Sequence, residues 1–163
     1  MRRLTVPVLL GTALALSVAC TSTGVASSAS SPSTTAACEP SSAGGPSAVA
    51  TEPVTVRYRD LPGAPVGSTD LDVWAADGAC DAPVVVWVHG GGYHHGDKAR
   101  NMAAKAALFN RHGWILVSVN YRLTRAGDPD SAHFPDQYED VAAALAWVEE
   151  HIAEHGGDAA HLA

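Results

Sequence analysis

Basic side chains are scarce: 10 Lys and Arg stand against 17 Asp and Glu in 163 residues, a net charge of -7. A groove tracking a phosphate backbone needs the opposite balance, so a nucleic-acid surface is excluded as the main business of the chain. Aromatic residues make up 6% of the sequence, and none falls in a stacking series. No uncharged apolar run reaches the roughly 20 residues of a membrane-spanning helix. Cysteine is limited to Cys20, Cys38 and Cys80. That is too few for a disulfide scaffold or a four-thiolate zinc site. No internal repeat is visible, which sets aside solenoids and propellers.

What is present falls into three stretches. Residues 1–19 hold Arg2 and Arg3, an uncharged apolar segment, and Ala19 before Cys20, the layout of an export signal. The Leu16–Cys20 segment resembles a lipobox, which makes Cys20 an expected acylation site. Ser17 departs from that pattern, and cleavage that leaves Cys20 unmodified is the alternative. Removing Arg2 and Arg3 takes the basic count from 10 to 8 against 17 acidic residues, a net charge of -9. Residues 20–52 are dominated by Ser, Thr, Ala, Gly and Pro. With so few large apolar groups to offset ordering entropy, they read as a tether. An exported or envelope location follows. In such a compartment Cys38 and Cys80 are able to pair, closing a loop worth on the order of 4 kcal/mol, or to remain free thiols.

Residues 53–163 are expected to fold. Val54, Val56 and Tyr58 alternate with polar residues as a half-exposed edge strand; Leu71, Val73 and Ala75 alternate with Asp70, Asp72 and Trp74 as a second strand. Val84–Val88 is an unbroken apolar run, expected to be a strand buried on both faces of a parallel sheet. Lys98–His112 shows a helical period through Met102, Ala106 and Phe109, with Asp97 as its cap. Trp114–Asn120 reads as another buried strand. A second helix opens at Pro135, with Asp136, Glu139 and Asp140 facing the positive end of its dipole. Val141, Leu145, Val148 and Ile152 form its apolar face, and Gly156–Gly157 ends it. Strands alternating with helices imply an α/β architecture with a mostly parallel sheet.

Between the Val84 strand and the first helix lies His89-Gly90-Gly91-Gly92. Glycines after a strand let backbone N–H groups point into open space, where they hold an anion. A phosphate loop is ruled out because Asp97 and Lys98 follow Gly96 where Lys and Ser or Thr are required. A dinucleotide fingerprint fails because His95 occupies its last glycine position. What remains, His-Gly-Gly-Gly itself, resembles the oxyanion-hole loop of α/β-hydrolase lipases and esterases, which supplies N–H donors to the tetrahedral intermediate.

LDVW (71–74), HGGGYHHGDK (89–98), VSVNYRL (117–123), FPDQYEDVAAALAWV (134–148) and HGGD (155–158) together resemble successive landmarks of α/β-hydrolase esterases and lipases. The nearest branch is that of bacterial carboxylesterases, feruloyl-esterase-like and kynurenine-formamidase-like enzymes. The resemblance implies a serine hydrolase of small-molecule carboxylic esters or amides that needs no cofactor or metal. In it, Gly91 and Gly92 donate N–H groups to the oxyanion, at about 3 kcal/mol per donor. His89 and Gly90 shape the loop, while Tyr93, His94 and His95 line its substrate side. A metal held by His94, His95 and Asp97 is the lesser alternative to exposed loop histidines.

The family pattern continues after HGGD with a strand and G-x-S-x-G, and no serine of this sequence stands in that motif. The resemblance therefore implies an N-terminal portion of the hydrolase fold with no nucleophile, acid or base of its own. It implies, too, that the fifth strand is missing, so that Val84–Val88 is an open edge prone to self-association. A non-catalytic envelope binding protein and a non-functional remnant are the competing readings, and the codons after 163 distinguish all three.

Overall fold

The computed structural model describes residues 48–163. The export signal, Cys20, Cys38 and most of the tether lie outside the described residues. The folded part starts earlier than Pro53. The Ala48 carbonyl accepts the Asp77 N–H at 3.2 Å, and the Ala50 N–H donates to Asn110 Oδ1 at 2.9 Å. The last residues assigned to the tether are thus bound to the domain.

Five strands form one sheet in the order β1-β2-β4-β3-β5. They are β1 (Val54–Arg57), β2 (Asp70–Trp74), β3 (Ala82–Val88), β4 (Ile115–Val119) and β5 (Gly157–Leu162). β3 runs parallel to β4 and β5, as the alternation of strands and helices requires. β1 and β2 are antiparallel to their neighbours, so the sheet is mixed. Helix α1 (Met102–Arg111) joins β3 to β4; helix α2 (Asp136–His151) and a 3-10 turn (Ile152–His155) join β4 to β5.

β4 is buried at all five positions, with Ile115, Leu116, Val117 and Val119 fully excluded from solvent. Each such side chain contributes about 2 kcal/mol of burial. Leu71, Val73, Val84, Ala144, Val148 and Ile152 share the larger core with it. On the other face Trp74, Met102, Ala106 and Leu116 form a smaller cluster. β2 is also buried on both faces rather than one, because α1 and α2 cover opposite sides of the sheet centre.

Several sequence expectations need correction. β3 is buried only in its first half: Trp87 and Val88 are exposed, Val88 at the wall of a cleft. Nor is β3 an open edge. β5 pairs with it at Ala82↔Gly157 and Val84↔Leu162, and Ala163 exchanges backbone bonds with Val84 and Val86 at 2.9 and 2.8 Å. The residues expected to precede a lost strand are themselves that strand, and the ground for self-association through β3 falls with it. α1 begins at Met102, not Lys98, because Asn101 sits in the left-handed region at φ 58°. Asp97 caps the preceding turn through the Ala99 N–H at 2.8 Å.

The buried face of α2 is rotated from the expected one. It carries Gln137, Asp140, Ala144 and Val148, while Leu145 is exposed. The first turns, whose acids were expected to complement the helix dipole, put one of them, Asp140, into the core.

Candidate active site

The glycine loop leaves the C-terminal end of β3, where a parallel strand hands its chain to the next crossover. Its interior is set by contacts that only glycine permits. A Cβ on Gly91, at φ +132°, would stand 1.6 Å from the His95 carbonyl oxygen. One on Gly96, at φ +135°, would stand 2.0 Å from His89 Nδ1. The loop folds back on itself: the Gly91 carbonyl accepts the N–H groups of His94 and His95 at 3.1 and 3.3 Å. By contrast, the N–H groups of Gly91 and Gly92 donate to no acceptor among the described residues. Two donors are thereby left available beside each other.

Those glycines border a cleft of about 430 Å³. Val88, Tyr93, Tyr121, Tyr138 and Val141 supply its other walls. The lining is largely apolar, as a small-molecule site requires. Tyr93 and Tyr138 meet across it, their hydroxyls 2.9 Å apart, and Phe134 packs edge-on against Tyr138 with ring centroids at 5.4 Å. The bond to Tyr138 raises the pKa of the Tyr93 phenol.

His89 is buried at the entry of the loop. Its Nδ1 lies 2.9 Å from the Gly90 carbonyl oxygen. Its ring stacks on Tyr121 at 4.4 Å and 19°, and its carbonyl accepts the Tyr121 hydroxyl at 3.1 Å. Burial raises the Tyr121 pKa, so this hydroxyl keeps its proton and remains a donor.

Of the three residues expected on the substrate side, Tyr93 lines the cleft, whereas His94 and His95 do not. His94 Nδ1 sits 3.1 Å from the Thr124 carbonyl oxygen. His95 borders a separate depression behind the loop, with Trp87, Asp97 and Arg100. Asp97 is engaged with Ala99 and, at 3.3 Å, with Asn120 Nδ2. His94, His95 and Asp97 do not converge, and among the described residues no three His, Cys, Asp or Glu side chains gather as a metal site.

The Asn120–Thr124 segment after β4 grips the glycine loop at three points. Asn120 Oδ1 accepts the Lys98 N–H at 2.6 Å at the loop's exit. Tyr121 holds His89 at its entry. The Thr124 N–H donates to the Tyr93 carbonyl at 2.8 Å in the middle. The segment is itself anchored by Asp140, which is fully buried. The Asp140 carboxylate accepts from the Arg122 N–H at 3.1 Å, from Arg122 Nε at 2.7 Å, and from Arg59 at 3.0 Å. The hydrogen bond to Asp140 raises the Arg122 pKa further.

Strand, glycine loop, unoccupied donor pair and apolar cleft thus lie together at the C-terminal end of β3. The BD-FAE protein-family model matches residues 71–163, which contain all of these parts. The chain belongs to the BD-FAE family. As a family member it is 36% identical over 91 residues to the Mycobacterium tuberculosis protein named "Probable carboxylic ester hydrolase LipM", covering 54% of this chain and 20% of that one. It is 32% identical over 112 residues to the para-nitrobenzyl esterase of Bacillus subtilis, covering 64% of this chain and 23% of that one. The structure is similar to that of esterase LipW from Mycobacterium marinum, with TM-score 0.54, 29% identity, and coverage of 70% of this chain and 33% of that one. The chain thus spans about a fifth of the length of the curated relatives it matches.

Sequence reasoning missed Gly96, Tyr121 and Asp140. Gly96 was legible only as part of a failed phosphate loop. The signal for Asp140 is its place in one helical row with Ala144, Val148 and Ile152, where an acid has to be paired.

Proposed function

We propose that the chain carries the oxyanion-binding part of a serine hydrolase acting on small-molecule carboxylic esters. In the reaction, a serine hydroxyl adds to the ester carbonyl, and the charge that develops on the carbonyl oxygen is held by the Gly91 and Gly92 N–H groups. Collapse of the tetrahedral adduct expels the alcohol, and water then releases the acid from the acyl-enzyme. The observation that carries this reading is the pair of adjacent N–H donors without an acceptor, opening on an apolar cleft. The esterase relatives support it.

The attacking serine is not among the described residues of this site. Ser118 is buried inside β4, while the Ser68 and Ser131 hydroxyls donate to carbonyls of their own loops at 2.7 and 2.8 Å. His151 ends α2 and His155 ends the 3-10 turn, their rings against Trp147 with centroids at 5.0 and 6.0 Å. The 163-residue chain is therefore expected to lack turnover by itself. p-Nitrophenyl acetate tests this: the product of the whole reading frame should hydrolyse it, and the 163-residue chain should not exceed a heat-treated control. Saturable turnover by the chain alone, abolished by a serine-directed phosphonate, would overturn the assignment.

We further propose export, with attachment to the envelope through an acylated Cys20. Cys80 is disulfide-bonded, which suits an oxidising compartment; the other half of that bond lies outside the described residues, as does Cys38. A palmitate analogue should label the wild type and not Cys20→Ala. Equal labelling of both would remove the anchor.

A further inference from the structure

We propose that Tyr121 is the positioning residue of the oxyanion donors, setting their direction through the backbone of His89. The proposal rests on the reading of Gly91 and Gly92 given above. Among the described residues, Tyr121 is the one side chain that holds His89 in two ways: its ring covers the imidazole at 4.4 Å and its hydroxyl donates to the His89 carbonyl at 3.1 Å. The peptide so held is the one from which the glycine run departs. Rotation about it would swing the Gly91 and Gly92 N–H groups together.

Neither glycine N–H donates a hydrogen bond among the described residues, so only the Gly91 carbonyl, held by the His94 and His95 N–H groups, resists such a swing locally. The Nδ1 and Cε1 edge of the His89 ring is closed by Gly96, where even a methyl group would collide. The imidazole is therefore confined on one face by Tyr121 and at one edge by Gly96, and the loop direction follows the ring. Tyr121 can serve as a fixed reference because the next residue is locked. The Arg122 N–H and guanidinium both end on the buried Asp140 carboxylate. Orientation thus passes from α2 through Asp140, Arg122 and Tyr121 to His89. Tyr121 also lines the cleft, so a bound acyl group would press on the same ring.

Nitrogen-15 relaxation of the 163-residue chain tests this without relying on turnover. In the wild type the Gly91 and Gly92 amides should have order parameters near those of rigid backbone, about 0.85. Tyr121→Leu, which loses both contacts, should bring them below about 0.6, with the β3 and β4 amides unchanged. Tyr121→Phe keeps the stack and should fall between the two; it decides the matter if the leucine variant does not fold.

In the product of the whole reading frame, Tyr121→Phe should lower kcat about ten- to a hundredfold with KM held, as expected for misdirected donors. A role in stability alone would lower the melting point of both variants and leave the two glycines as ordered as in the wild type. That result, or glycines already mobile in the wild type, overturns the proposal. Loss of order in the variants together with a wild-type protein that cleaves no ester would support the positioning role and remove the ester reading.

Discussion

The glycine loop has a packed side and an open side, and the two use the same residue for different reasons. Gly91 and Gly96 face the packed side, where any Cβ would overlap the His95 carbonyl or the His89 ring. Gly90 and Gly92 face the open side and would meet nothing within 4 Å. On the packed side glycine is a steric necessity; at Gly92, whose φ is +59°, it serves conformation, and at Gly90 it serves clearance. A run of glycines in a motif is therefore not one feature. Only the structure separates the positions that hold the loop from those that leave room for a ligand.

The hardest blow to this division is struck beneath the packed side. Asp140→Asn would remove the charge that two arginines face and should cost about 3–5 kcal/mol in urea unfolding, the usual result of breaking a buried pair. A loss under 1 kcal/mol would mean that the Asn120–Thr124 segment stands without its anchor. Gly91→Ala comes next, at about 3 kcal/mol, because the obstacle is backbone and the φ is one that alanine avoids. Gly96→Ala should cost less, about 2 kcal/mol, since the His89 ring can yield where a carbonyl cannot. Gly90→Ala should lie within about 0.5 kcal/mol of the wild type by the same measurement. Equal costs for Gly90 and Gly91 would erase the distinction between the two sides.

The smallest effect is on the open side, where Tyr93 and Tyr138 share a hydrogen bond. A phenol whose pKa is raised by folding contributes stability that is fully present below its ordinary value of about 10 and is lost as pH rises through the raised value. Alkali should therefore loosen this tie before it reaches the core. Spectrophotometric titration near 295 nm should show one tyrosine returning towards its ordinary value in Tyr138→Phe; an unchanged titration curve would mean that the two hydroxyls are not bonded in solution.

Strand positions and the HGGG loop were readable because they depend on short-range rules: alternation, unbroken apolar runs, and glycine after a strand. The phase of α2 was not. Its buried row includes Gln137 and Asp140, which a count of apolar residues skips, and so Val141 and Leu145 were assigned to a face that the helix turns away. Asp140 is inside only because Arg59 and Arg122 arrive from 81 and 18 residues away, and no local pattern announces that meeting. The fifth strand was overlooked for a similar reason. Gly157–Leu162 is short, polar at Asp158 and His161, and takes its shape from β3 rather than from its own composition.

Arg57 with Asp60 and Arg125 with Asp128 are ion pairs open to water on both partners. Dissolved salt screens such pairs over about 8 Å at physiological strength. The Asp140 carboxylate has no exposed surface at all, so counterions have no route to it. Rising salinity should strip the periphery of its electrostatic contributions and leave the joint between α2 and the glycine loop intact. The mounting of the glycine loop is thereby insulated from the ionic composition of whatever medium surrounds it.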